Sequence, residues 1–406
     1  MSASLPDWAV WQPSEPFSLG AEEEVMLLDP RDWSLAYEID RVLEAIPAEL
    51  EERVSRETQG SVLELATVPH EGVAGVAAEL LSMRRELDRH LATLGLKPAS
   101  AGTHPFTVWQ ETVVSSGARY QEVYGSMREL ARREPTFALH VHVGVPDPER
   151  GIRLVNRMRA HVPLLLALSV NSPFWQGRDT GLASARTPLF QAFPRVGIPR
   201  VFRDYAEWVK AVELLIRCGA FAEPTFLWWD VRPQPRFGTV EVRVLDAQTT
   251  VGETVALAAL VQSIARLELE GGYVSAELVQ SQEVLDENRF LAARDGMDAS
   301  LIDPGLGRRV PARQQLAELL EACAPHAAAL GCDGELGTVE RMLRRTGAER
   351  QVALAREADR LPGLVRMMAY AFCDAAWDAG GADRPMGESR PSDFVHLATG
   401  GSDIRS

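Results

Sequence analysis

Glu22 and Glu24 stand two apart in the run FSLGAEEEVMLL (17–28). In an extended chain, residues two apart project from one face. Two adjacent carboxylates repel each other, and a cation is the usual remedy. The same alternation puts Leu19, Ala21, Glu23, Val25 and Leu27 on the other face. Glu64 interrupts the apolar run SVLELATV, and Glu57 lies upstream, before Gln59-Gly60. A lone carboxylate in a buried strand costs several kcal/mol unless it is paired or metal-bound. In FALHVHVGV, His140, His142 and Gly144 alternate with Leu139, Val141 and Val143. GTVEVRVLD sets Glu241 and Arg243 opposite Val240, Val242 and Val244, and LWWDVRP puts Trp228, Asp230 and Arg232 on one face.

Each run has a plain structural reading: a solvated edge strand, a salt bridge, hydrogen-bonded histidines. Solvent-facing strands, however, usually carry Thr, Lys, Gln and Ser. These carry Glu, His and Arg, which together indicate a metal-and-anion site on a concave sheet face. Carboxylates with one or two imidazoles favour hard cations, Mg²⁺ or Mn²⁺. So many carboxylates are tolerable only if several ions and a polyphosphate share the site, with arginines balancing the phosphate charge. There is no Gly-Lys-Ser/Thr, and Lys97 and Lys210 are the only lysines. The combination reads as nucleotide-dependent phosphoryl transfer without a P-loop. The alternative is a metal-dependent hydrolase using His140 and His142 as transition-metal ligands. It would need further histidines, and only His104 sits beside a strand-like motif.

The elements that must carry these groups follow from periodicity. Strands are expected at 17–28, 61–69, 137–146, 227–233 and 238–246, the last two as a hairpin. Helices are expected at 39–53 (interrupted by Pro47), 72–94 and 149–170, and the pattern is helical from Thr254 to about Asp378. Strands come first and helices flank or follow them, so the fold class is α+β with a mainly antiparallel sheet. The expected organisation is an irregular arm at 1–16 and a single catalytic domain at 17–378, sheet-rich over 17–250 and helical over 251–378. A flexible tail is expected at 379–406.

The 406 residues carry a net charge of −15, which argues against nucleic-acid and anionic-membrane partners. The four cysteines form no C-x-x-C, so neither a zinc ribbon nor a disulfide framework is indicated. The N-terminus has no signal-peptide pattern and no apolar run reaches membrane-span length. A cytoplasmic location is expected.

GAEEE (20–24), ETQGSVLELATVP (57–69), AGTHPF (101–106), LHVHVGVP (139–146), NSPFWQGRDTGLASARTPLF (171–190), LWWDVRP (227–233) and TVEVRVLDA (239–247) resemble, in order, motifs of the bacterial carboxylate–amine ligase or type 2 glutamate–cysteine ligase family. That family belongs to the glutamine-synthetase-like superfamily, and the likeness runs from about residue 15 to 375. It implies a curved, mainly antiparallel cradle lined by carboxylates, with helices packed outside. It also implies ATP-dependent phosphorylation of the γ-carboxylate of L-glutamate, followed by attack of an amino acid amine. By motif, Glu22, Glu24, Glu57, Glu64, His142 and Glu241 would be metal ligands for Mg²⁺, with Mn²⁺ as the alternative. Arg243 and Arg232 would serve the chemistry. Arg243, Arg186 and His140 would contact ATP, and Arg186 or Arg232 could instead take the glutamate carboxylate. One further carboxylate expected after the long helix is missing; AGTHPF stands there, with His104 as the candidate substitute. The partners implied are L-glutamate and a small amino acid such as cysteine. The amine is not fixed by family, and a homodimer is left open.

Overall fold

The computed structural model describes residues 5–132, 136–358 and 360–375; the tail expected at 379–406 lies outside them. Seven strands form one antiparallel sheet: β1 (Leu19–Leu28), β2 (Val54–Arg56), β3 (Val62–Ala66), β4 (Lys97–Ala99), β5 (Ala138–Gly144), β6 (Val231–Gln234) and β7 (Thr239–Asp246). The order is β6-β7-β5-β1-β3-β2, and β4 pairs with the far end of β1. Hydrophobic alternation sets the register, because a slip of one residue would turn every apolar side chain to the wrong face.

The back of the sheet is apolar. Leu19, Ala21, Val25, Leu63, Leu65, Leu139, Val141, Val143, Val240 and Val242 belong to one buried core. Helices α1 (Val73–Thr93), α2 (Pro148–Met158), α3 (Val162–Ser169) and α4 (Val251–Glu270) cover that face. α4 is buried along most of its length. The helix expected over 149–170 is interrupted by a 3-10 turn, Arg159–His161, because Pro163 brings no N–H and restarts the helix.

One acidic residue lies on the back face. Glu23 and Arg84 are both fully buried, 2.6 Å apart. Arg84 also donates to the carbonyls of Gln248, Thr249 and Phe372. One guanidinium thus ties β1 to the segment after β7 and to the C-terminal helix Leu361–Ala371. Removing one partner of such a pair costs about 3–5 kcal/mol.

Two expectations need correction. The region after residue 254 is not wholly helical: Ser300–Asp303 and Arg308–Pro311 form a hairpin, because Asp303-Pro304-Gly305 turns the chain. The strand expected at 227–233 is split. Trp228–Trp229 pairs in parallel with Val196–Gly197, and only Val231–Gln234 joins the main sheet. Among the described residues, no helix is long and apolar enough to cross a membrane.

Candidate active site

Strand pairing lines up the front-face groups in three rows. Glu24 lies opposite Glu64, which lies opposite Ser55. Glu22 lies opposite His140. His142 lies opposite Glu241, which lies opposite Arg232. Glu57 enters from the β2–β3 loop, where its carboxylate accepts from the Thr58 N–H at 2.9 Å. The result is three groups: Glu22, His142 and Glu241; Glu22, Glu64 and His140; Glu24, Glu57 and Glu64. In each, the candidate ligand atoms lie within 4.8 Å of one another.

The arginines lie on the β6–β7 side. Glu241 is fully buried and accepts from Arg232 Nε at 2.7 Å, from Gln234 at 2.7 Å and from Arg243. Arg232 Nη1 also donates to the carbonyls of Thr225 and Leu227. The β5–β7 register slips between Val242 and Leu245. This bulge lets both Val244 and Leu245 enter the core while Arg243 stays on the front face; bulges commonly re-aim a side chain in this way. Arg186, on the short helix Arg186–Phe190, donates to the carbonyls of Val244 and Arg243 at 3.0 and 3.2 Å.

A cavity of about 320 Å³ gathers Glu22, Glu24, Glu57, Glu64, His140, Arg186, Arg232 and Arg243 on one lining. His142 and Glu241 sit beside it, His142 Nε2 3.3 Å from Glu22 Oε1. Apolar residues complete the walls: Val62, Val123, Met127 and Ala131, and the aromatic Phe190, Phe193 and Trp228.

Charge is unevenly balanced. Burial, together with Glu57 alongside, pushes Glu24 up to about 8. Burial and the neighbouring carboxylates also hold Glu64 well above the usual carboxylate range. Burial opposes ionisation of Glu241 too, yet Arg232 and Arg243 outweigh it and hold Glu241 well below that range. Glu22 is likewise lowered: His142 and His140 overcome its burial. His140 is pushed down to about 4 by burial and by Arg243. His142 is raised, because Glu22 and Glu241 overcome its burial. The Nε atoms of Arg186 and Arg243 are buried without a hydrogen-bond partner.

Two residues named from sequence fall elsewhere. His104 is buried away from the cavity: Nε2 meets the Trp33 carbonyl at 2.9 Å, and Nδ1 accepts from the Thr107 N–H. Both ring nitrogens are engaged, so it replaces no missing ligand. Asp230 turns aside to Arg289, 2.6 Å away. Trp229, next to Trp228 in the chain, packs on Phe202 and is not among the cavity's lining residues. Sequence reasoning missed Ser55 and Arg56, on a three-residue strand too short to show a period. It also missed the wall from Val123 to Ala131, whose only signal was an amphipathic stretch.

A family model described as glutamate-cysteine ligase family 2 matches residues 18–367. Two Rubrobacter xylanophilus proteins, named provisionally as glutamate–cysteine ligases 2-1 and 2-3, are each 41% identical to this chain. Those matches span 82% and 88% of this chain and 89% and 98% of theirs. A glutamate–cysteine ligase from Francisella tularensis, solved in complex with AMP, superposes with a TM-score of 0.66 at 14% identity over 90% of each chain. A bifunctional glutathione synthetase from Pasteurella multocida gives 0.64 at 15% identity, over 88% of this chain and 51% of that one. At such identities the likeness speaks for the fold alone, an α+β arrangement of helices on a mainly antiparallel sheet. The family model and the Rubrobacter proteins are ligases by name, and His140 and His142 stand among carboxylates, so the hydrolase alternative has no support.

Proposed function

Since this chain belongs to glutamate–cysteine ligase family 2, we propose that it joins the γ-carboxylate of L-glutamate to the amine of cysteine or another small α-amino acid. ATP is consumed through a γ-glutamyl phosphate, and ADP and phosphate are released. The observation that carries this reading is the apposition, at one cavity, of two acid–imidazole groups, one group of three carboxylates and the guanidiniums of Arg186, Arg232 and Arg243.

The residues fit divalent cations. Glu24, pushed up to about 8, is a carboxylate that the protein alone does not keep fully ionised near neutrality, and Glu64 beside it is raised by the same burial and carboxylate repulsion; the donor set is oxygen-rich with two imidazoles, which suits Mg²⁺. Glu22, Glu24, Glu57, Glu64, His142 and Glu241 would hold the ions, with His140 adjoining. The ions would supply neutralisation of the phosphate charge. Arg243 would cover charge on the transferring phosphoryl, where fixed electrostatics matter most. Arg232 has most of its donors committed to Glu241, Thr225 and Leu227; its part is to keep Glu241 ionised and fixed.

The acceptor side chain would meet an apolar wall. The Ser115 N–H donates to the Thr58 carbonyl, which ties the helix Ala118–Met127 to the Glu57 loop, and Val62 lies two residues before Glu64 on the same face. No cysteine lines the cavity. A thiol would therefore be recognised by size and apolar contact, and a methylene discriminates by only about 1–3 kcal/mol. In a screen of amine-dependent ADP release at saturating glutamate and ATP, kcat/KM for 2-aminobutyrate or alanine should fall within about tenfold of that for cysteine. A cysteine preference beyond about a thousandfold, roughly 4 kcal/mol, would reveal thiol recognition that this wall does not provide. No ADP release with any amine would defeat the proposed function itself.

The ion-free protein should lose stability as pH rises above 7. Glu24 is shifted from 4.5 to about 8 on folding, so folding takes up a proton between those values. Its contribution is full below about 4.5 and is lost as pH passes through about 8. Glu64 and His142, also raised, act in the same direction. His140 and His104, held near 4, oppose the trend only below about 6.5. The Tm of chelator-treated protein should fall from pH 7 to 9, and millimolar Mg²⁺ should raise it more at pH 9 than at pH 7. A Mg²⁺ effect independent of pH would contradict the acidic groups as its binding site.

A further inference from the structure

Asp246, at the end of β7, is a fully buried carboxylate outside the cavity lining. The groups around it are donors. Oδ2 accepts from the Asn171 N–H at 2.8 Å and from Ser172 Oγ at 2.7 Å. Oδ1 accepts from Ser184 Oγ at 3.0 Å and lies 3.6 Å from Arg186 Nη1. The two serines are relays. Ser172 Oγ accepts from the Arg186 N–H at 3.2 Å, and Ser184 Oγ accepts from the Thr187 N–H at 3.3 Å. Those N–H groups open the short helix that carries Arg186, and the first N–H groups of a helix have no partner within it. The carboxylate therefore fixes that helix from both sides, through two hydroxyls and beside the guanidinium. Arg186 in turn holds the carbonyls of Arg243 and Val244 at the bulge. Space is tight: a Cβ on Gly102 would come within 2.7 Å of Asp246.

We propose that Asp246 is a positioning residue: through Ser172 and Ser184 it sets Arg186, and through Arg186 it sets the bulge that aims Arg243 into the cavity. The inference rests on the proposed ligase reading for what the two arginines contact, but not for the linkage between them. Asp246 acts from outside the cavity lining. In the Asp246→Asn variant one oxygen would become an N–H₂ group facing donors, so part of the relay would break while the volume is kept.

The test is a double-mutant cycle on the full chain with Asp246→Asn and Arg186→Ala, because only coupled residues depart from additivity. Asp246→Asn alone should lower kcat/KM on the order of 10²-fold, as small misplacements of site groups do. In the Arg186→Ala background the same change should cost less than about threefold. An equal loss in both backgrounds would show a general structural role and overturn the proposal, as would wild-type activity in Asp246→Asn. If Asp246→Asn does not fold, Ser184→Ala run through the same cycle decides, with a loss of about tenfold that vanishes without Arg186. Calorimetric binding of L-glutamate and of a magnesium complex of a non-hydrolysable ATP analogue repeats the cycle without turnover. An inactive wild type would then count against the ligase reading alone, while additive binding losses would count against Asp246.

Discussion

Glu24→Gln should abolish ligation, with ATP turnover down by about 10³-fold, and should leave the ion-free protein more stable at pH 8 than the wild type. Glu24 lines the cavity, and its pKa is pushed up to about 8 by burial and by Glu57. An amide ends that repulsion and can still accept the Ala138 N–H that now bonds Glu24 at 2.6 Å. Glu241→Gln should match it in lost turnover and oppose it in stability. Arg232 and Arg243 would then be buried against a neutral partner, and weakening a buried ion pair in this way costs about 3 kcal/mol. The pair of variants separates the two kinds of acid in the site: one unbalanced until an ion arrives, one already balanced by arginine. Chemical denaturation in chelator at pH 8, beside steady-state ADP release, gives both readings. A Glu24→Gln variant that keeps most of its turnover would remove this residue from the proposed ion site.

Arg243→Lys should lower kcat by on the order of 10²-fold, with less than a fivefold rise in KM for glutamate or ATP. Arg243 donates through Nη1 to Glu241 and lies 3.3 Å from His140 Nδ1, while its Nε is buried without a hydrogen-bond partner. Lysine keeps the charge but loses the planar fork that can hold a carboxylate and face a phosphoryl oxygen together. The signature of lost transition-state stabilisation is a fall in kcat with little change in KM. A change confined to the glutamate KM would move Arg243 from the phosphoryl to the substrate carboxylate.

Strand alternation made most of the candidate site legible in the sequence. Glu22 and Glu24 share a face because a strand has period two, and the same rule carried His140, His142, Glu241 and Arg243. Periodicity along one strand says nothing about register between strands. That Glu24 faces Glu64, and His142 faces Glu241, comes from how the back faces pack. The bulge near Arg243 was equally hidden, since it adds a residue without breaking the apolar pattern of Val242, Val244 and Leu245.

Several polar groups could be placed in sequence but not given a partner or a role. Glu23 alternates with the apolar side, and its partner Arg84 is 61 residues away, a distance no local pattern spans. Asp230 shares a face with Trp228 only if the strand is continuous, and the chain departs from the main sheet there to pair Trp228–Trp229 with Val196–Gly197. His104 stands within a motif, yet both its nitrogens serve the backbone around it. Asp246 lay inside TVEVRVLDA without a role, because its meaning depends on Ser172 and Ser184 arriving from another segment.

Chemistry at the γ-carboxylate is the centre of this account, and oxygen tracing tests it most directly. L-glutamate labelled with ¹⁸O in its γ-carboxylate is incubated with the enzyme, ATP, Mg²⁺ and the preferred amino acid, and the released phosphate is examined by mass spectrometry. Attack of the carboxylate on the γ-phosphoryl, followed by displacement by the amine, leaves one ¹⁸O in each phosphate, formed in step with ADP and γ-glutamyl product. Phosphate that carries no label, or ADP formed at the same rate without glutamate, would contradict it.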